Sequence, residues 1–190
     1  MSSPILHPLP DADRLPAVLV LASGRGERFL ASGGTVHKLQ ADLCGATVLQ
    51  RTLDAVQASG LRWHLEDAGH PGMGDSIAAA VRATRDAASG WMVLPADLPL
   101  VQPNTLVTIA RAPLDGDVLV PWFEGQRGHP VRFAANCGDA LADLKGNQGA
   151  APVVSARVAI KIVVDDAGCV LDIDTVDDLE RARAAWRQFR

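Results

Sequence analysis

The sequence has little cysteine, and its cysteines never fall at CxxC spacing. Cys44, Cys137 and Cys169 stand far apart, which excludes a zinc knuckle or a disulfide scaffold and leaves three buried or incidental thiols. It has no apolar run long enough to span a bilayer. It has no excess of positive charge: the formal net charge is −4, so neither nucleic acid nor an anionic membrane is an expected partner. Ser2 to Arg14 is proline-rich and lacks an apolar h-region, so no secretory signal is expected and the cytoplasm is the default location. No internal repeat, charge block or linker divides the chain.

What is present suits one α/β domain. The 190 residues, 48% of them hydrophobic, suffice for a sizeable core. The expected division is a flexible tail over 1–15 and a single domain over 16–190. With a negative net charge, a phosphate-rich ligand would have to meet a local basic loop.

One stretch supplies such a loop. Val18 to Leu21 is an unbroken apolar run and reads as a strand buried on both faces. It leads through Ala22 into Ser23-Gly24-Arg25-Gly26-Glu27-Arg28. Glycines let the backbone turn tightly and come close to a ligand. Their amides can cradle phosphate oxygens, and Arg25, Arg28 and Lys38 add positive charge. The third glycine of G-x-G-x-x-G is missing, because Phe29 stands there, and no P-loop lysine follows. A plain strand-to-helix turn is the competing reading.

The rest alternates. Ala31 to His37 reads as a mobile surface loop with an ordinary loop histidine. Thr47 to Ser59 has helical spacing closed by Gly60, and Leu61 to Leu65 reads as a short strand. Gly72-Met73-Gly74-Asp75-Ser76 opens another helix. It either offers amides to an anion or is simply N-capped by Asp75 or Ser76. Trp91 to Leu94 is a second buried strand, ending at Asp97, which could hold magnesium or cap a turn. Gln102 to Ala112 is helical. Val118–Trp122 and Pro130–Phe133 form an antiparallel hairpin from which Arg127 and His129 project, His129 being structural or substrate-facing.

Short helical turns are expected over Asp139 to Leu144 and Ala150 to Ser155, interrupted by Gly146 to Gly149. Val158 to Val164 is a strand, Asp165 to Gly168 a hairpin turn, and Val170 to Ile173 its return. Thr175-x-x-Asp178 starts the last helix as a capping box. Asp172 and Asp174, just before it, are either turn acids or further metal ligands. The alternation predicts a mainly parallel sheet with helices on both faces and at least one antiparallel strand, with ligands over the carboxyl edge.

Five motifs in order resemble the nucleotidyltransferases of molybdenum cofactor maturation, the MobA-like NTP transferases. They are Leu21-Ala-Ser-Gly-Arg-Gly-Glu-Arg28 with Lys38, Gly72-Met-Gly-Asp-Ser76, Pro95-Ala-Asp-Leu-Pro-Leu100, Arg127-Gly-His-Pro-Val131 and Leu171-Asp-Ile-Asp-Thr175. The likeness spans nearly everything after Pro16, and the last two motifs are most similar to the cytidylyltransferase branch.

The resemblance implies a Rossmann-like nucleotidyltransferase fold. It implies Mg2+-dependent transfer of CMP or GMP from CTP or GTP to the phosphate of molybdopterin, with pyrophosphate released and a molybdoenzyme as eventual recipient. It implies nucleotide contacts from Leu21, Ala22, Ser23, Gly24, Arg25, Gly26, Gly72, Met73 and Ser76. Catalytic charge would come from Arg28, Lys38 and Asp97, metal ligation from Asp97 with Asp174 or, second to it, Asp172, and acceptor contacts from Arg127 and His129. A transferase of the same fold acting on a sugar or polyol phosphate is an alternative, and so is a non-catalytic cofactor chaperone. Three departures stand out. Ser23 replaces a usual alanine. The insert before Lys38 is long, so the lysine must fold back. A strand–helix–strand before Gly72 is cut down to Leu61–Leu65 and a turn, so the sheet should be narrower there or completed by a partner chain.

Overall fold

The apolar run at Ala17–Leu21 (β1) is buried at every position and pairs on both sides. The computed structural model describes residue 9 and residues 11–188. After β1 come α1 (Glu27–Ala31), α2 (Val48–Ala58), β2 (Trp63–Glu66), α3 (Met73–Thr84), β3 (Gly90–Pro95) and α4 (Pro103–Arg111). Then follow β4 (Val118–Phe123), β5 (Gln126–Arg127), β6 (Val131–Ala134), α5 (Gly138–Ala142), α6 (Ala151–Ser155), β7 (Ala159–Val163) and α7 (Val176–Gln188). Helix starts are chemically marked. Thr47 Oγ1 accepts from Gln50 N at 3.1 Å to cap α2, and Pro103 opens α4. At α7 the expected capping box forms: Asp178 N donates to Thr175 Oγ1, while the Asp178 carboxylate accepts from Thr175 N.

Among the described residues seven strands make one mixed sheet in the order β2-β1-β3-β6-β4-β5, with β7 also pairing β4. β1 runs parallel to β2 and β3, and β7 parallel to β4, while β6 is antiparallel to β3 and β4. Alternate residues of each central strand serve opposite faces. Val18, Val20, Met92 and Leu94 join the core under α2, α4 and α7; Leu19, Leu21, Trp91 and Val93 join the core under α3, α5 and α6. The result is a three-layer α/β architecture of Rossmann-like type. Leu21 lies opposite both Glu66 and Pro95, so three parallel strands end together at one rim.

The hairpin is as expected, with a local irregularity. Leu119 pairs Arg132 and Trp122 pairs Arg127, so the two intervening residues of β4 face four on the return strand. The surplus bulges out around Gly128-His129-Pro130. Pro130 has no N–H to give the ladder. Gly128 lies so close to Cys169 that a β-carbon would sit 2.6 Å from its Sγ. Such bulges re-aim side chains, and this one carries His129.

Two expectations need correction. Val170–Ile173 is not a strand, and Asp165–Gly168 is not a hairpin turn, because β7 runs parallel to β4. The buried Asp166 carboxylate instead accepts from Gln102 N and Gly168 N, both at 2.9 Å, and holds a short 3-10 turn against the start of α4. The helix at Gly72 is not capped by Asp75 or Ser76: Gly72 is the N-cap, Ser76 Oγ donates back to Gly72 O, and Asp75 accepts from Gly146 N. Residues 1–8 and 10 lie outside the described residues, but Leu9 N donates to Gly60 O, Leu9 packs on the core, and Ala12 and Leu15 are buried. Apolar area removed from water ties this segment down. β2 is an edge strand of the sheet among the described residues. No helix among them is long and apolar enough to cross a membrane.

Candidate active site at the carboxyl rim

The rim collects three loops. The first follows β1. Gly26 sits at φ +65, in the left-handed region that favours glycine, and lets the chain enter α1. A β-carbon on Gly24 would meet nothing within 4 Å, so that space is open to a ligand. His37, expected as an ordinary loop residue, braces this turn. Its Nδ1 accepts from Leu39 N at 3.3 Å, which leaves Nε2–H to donate to Gly24 O at 2.7 Å. The long insert therefore folds back as the spacing required.

It delivers Lys38 into the rim with a nearly buried ammonium. Nζ lies 2.6 Å from Asp97 Oδ2 and 2.8 Å from Asp174 Oδ1. Arg28 reaches Asp174 Oδ2 at 2.8 Å from the solvent side. Burial alone would lower the Lys38 pKa, but the two carboxylates outweigh it and hold it above the ordinary lysine value. The hydrogen bond from Lys38, with help from Arg28, keeps Asp174 below the usual carboxylate range despite partial burial. Burial first, then repulsion from Asp97, pushes Asp172 up.

The acids converge for main-chain reasons. Asp97 follows β3 on a turn pinned by Ala96 N donating to Leu21 O and by the buried Thr52 hydroxyl donating to Ala96 O at 2.9 Å. Ile173 N donates to Asp97 O at 3.0 Å, which brings the residues on either side of it to the same place. One carboxylate oxygen from each of Asp97, Asp172 and Asp174 falls within 4.8 Å of the others. Asp97 Oδ1 is buried without a hydrogen-bond partner. An orphaned buried acceptor among three carboxylates matches what Mg2+ or Mn2+ asks of a protein, namely a few hard oxygen ligands with room for substrate phosphate.

Two cavities meet at these acids. The first, about 400 Å3, is lined by Ser23, Gly24, Arg25, Gly26, Arg28, Lys38, Gly72, Met73, Ser76 and Asp174 among the residues singled out in the sequence. The second, about 300 Å3, is lined by Asp97, Arg127, His129 and Asp172, with Met73 shared between the two. Leu21 and Ala22 line neither. Leu21 is spent in the core and Ala22 N donates to Glu66 O. In the second cavity His129 Nδ1 is buried and unpartnered, and burial depresses the imidazole's pKa. The buried Cys169 thiol is pushed up to about 11 by burial, so it is no nucleophile.

Sequence reasoning missed His37, His70 and Asn147, which surround the first cavity or its loop. Asn147 arrives because Gly72 and Gly74 leave no room for a β-carbon beneath the Lys145–Gly146 backbone. The glycine spacing of both segments was visible, but not that they dock on each other.

Known proteins resemble this chain in sequence and fold. The chain is 32% identical to a 2-C-methyl-D-erythritol 4-phosphate cytidylyltransferase of Frankia casuarinae, over 86% of this chain and 72% of that one. Its fold matches the crystal structure of Rv0371c from Mycobacterium tuberculosis in complex with manganese (TM-score 0.70, 22% identity, 89% and 98% of the two chains covered). It also matches molybdopterin-guanine dinucleotide biosynthesis protein A from Archaeoglobus fulgidus (TM-score 0.65, 20% identity, 90% and 99% covered). The family model of the MobA-like NTP transferase domain matches residues 18–160, which takes in the glycine loop, Lys38, Asp97 and the hairpin. The chain belongs to the MobA-like NTP transferase family and is a nucleotidyltransferase of that kind.

Proposed function

We propose that the protein transfers CMP from CTP, or GMP from GTP, to the terminal phosphate of molybdopterin and releases pyrophosphate. The observation that carries the transfer chemistry is the position of Asp97, Asp172 and Asp174 on the boundary between two cavities. A nucleotide in the first cavity and a phosphate acceptor in the second would meet there. The acceptor reading rests on the Arg127-Gly-His-Pro-Val131 and Leu171-Asp-Ile-Asp-Thr175 motifs.

No covalent enzyme intermediate is required. An acceptor phosphate oxygen attacks the α-phosphorus, the bond to the β-phosphate oxygen breaks, and pyrophosphate leaves with its charge. The protein's work is positioning and charge neutralisation. The Gly24–Gly26 amides face the triphosphate, and Arg28 and Lys38 offset its charge. Asp97 and Asp174, with Asp172 beside them, would hold Mg2+, which supplies charge neutralisation at the α-phosphate when bound. Arg127 faces the acceptor phosphate, and His129 Nδ1 gains there the partner it lacks.

The test is pyrophosphate release with each of the four NTPs, Mg2+ and molybdopterin. Release with CTP or GTP is expected, and none with any nucleotide rejects the reading. The relative acting on an erythritol phosphate favours a second reading, a polyol phosphate as acceptor. Replacing molybdopterin with 2-C-methyl-D-erythritol 4-phosphate in the same assay separates the two. A non-catalytic chaperone would release no pyrophosphate with either.

A further inference from the structure

The transfer chemistry leaves the buried carboxylate of Glu66 unused. Glu66 ends β2 at the rim with a side chain only 9% exposed. It accepts from Ala68 N at 3.3 Å, His64 Nε2 at 3.4 Å and His70 Nε2 at 3.1 Å. Burial would raise its pKa, but these donors outweigh burial and keep it ionised. Its carbonyl accepts from Ala22 N at 2.8 Å and Ser23 Oγ at 3.4 Å, which ties the strand end to the mouth of the glycine loop.

The consequence falls on His70. A carboxylate can only accept, so His70 Nε2 carries the proton. In the neutral ring Nδ1 is then a bare acceptor. His70 lines the first cavity beside Pro71, Gly72 and Met73, on the short connection between β2 and α3. The glycine loop and Lys38 take the phosphate end of that cavity. The 70–73 wall remains for the nucleoside.

On the nucleotidyltransferase reading above, we propose that His70 reads the base, that Glu66 positions it, and that the pair selects cytosine over uracil. The two bases have the same shape and differ at one exocyclic group. The cytosine amine donates to Nδ1. The uracil carbonyl at the same place sets two acceptors against each other and leaves both unsatisfied. A site built to pair with a donor rejects the analogue lacking it more strongly than shape alone can.

Binding of CTP and UTP to the full chain, measured by calorimetry with Mg2+ at pH 8, tests this. CTP should bind roughly tenfold tighter than UTP, the size of one neutral hydrogen bond with its unmade alternative. His70→Ala should bring the ratio to about one by weakening CTP. Glu66→Gln, which keeps the shape but loses the charge that fixes the ring's proton, should reduce the ratio. Inorganic tripolyphosphate has no base, so its retained binding shows that both variants are folded. Equal binding of CTP and UTP by the unmodified chain, or a ratio untouched by His70→Ala, overturns this inference alone. Binding of neither CTP nor UTP overturns this inference; if GTP and ATP also fail to bind, the nucleotidyltransferase reading falls with it.

Discussion

Lys38 is the residue on which the rim's charge balance turns. Its ammonium is the one lysine nitrogen placed between Asp97 and Asp174, with Asp172 close behind. Removing one partner of a buried ion pair leaves the other uncompensated. Lys38→Met should therefore cost about 3 kcal/mol in urea unfolding without divalent cations. Millimolar Mn2+ should restore part of that loss.

The pH dependence follows from the same contacts. Lys38 holds the folded-state pKa of Asp174 below its unfolded value. That contribution is present in full above the ordinary carboxylate pKa and is lost as pH falls through the depressed value. The Lys38 pKa is raised, so its own contribution is present below the ordinary lysine pKa and lost as pH rises through the folded value. In Lys38→Met the acid-side loss from Asp174 should shrink to the part that Arg28 still supplies, and mild acidification from pH 7 to 5 should stabilise the variant by relieving carboxylate repulsion. Asp97→Asn keeps the shape but removes one of the three carboxylate charges of the metal-facing cluster. It should lower pyrophosphate release by about a hundredfold or more, the scale of a lost transition-state charge contact, with the far-UV spectrum unchanged.

At the scale of elements, two junctions aim the site. The capping box that starts α7 also holds Asp174, because the Asp178 carboxylate accepts from Asp174 N at 3.1 Å as well as from Thr175 N at 2.7 Å. Thr175→Ala should cost about 1 kcal/mol of thermal stability and lower activity with it, as Asp174 loses its fixed approach. The bulged return strand is the other junction. A β-carbon at Gly128 meets both Sγ and O of Cys169, so Gly128→Ala must push the strand away or strain it, at about 1–3 kcal/mol. Its KM for the acceptor should rise while nucleotide binding is kept. Much of this level was legible in advance. Thr175-x-x-Asp178 reads directly as a cap, and the alternation at β4 and β6 reads as a hairpin. Val170–Ile173 misled, because an apolar run after a turn looks like a returning strand. Only the Asp166 contacts with Gln102 reveal that the turn serves a distant helix start instead.

For the whole molecule, one sheet serves two cores and a single functional rim. Nucleotide and metal should bind the folded chain and not the unfolded one, so they stabilise by mass action. CTP at a hundred times its Kd, with Mg2+, should add about 2.7 kcal/mol, read as a raised melting temperature. The same addition to Asp97→Asn should give a smaller rise. An unshifted melting temperature in the unmodified protein would contradict the assignment of the first cavity.

The sequence alone determined what depends on near neighbours. Runs of buried apolar residues, helical spacing, caps and glycine turns are written within a few residues of where they act, and they placed the elements and most of the rim residues. Only the tertiary structure decided the direction of β7, the entry of Lys38 between the acids, the closeness of Asp172 and the clasp of Glu66 on His70. Each of those depends on pairing between segments far apart in the chain. The free energy of such a pairing is set by burial and hydrogen bonding at the contact, and no local pattern records who the partner is.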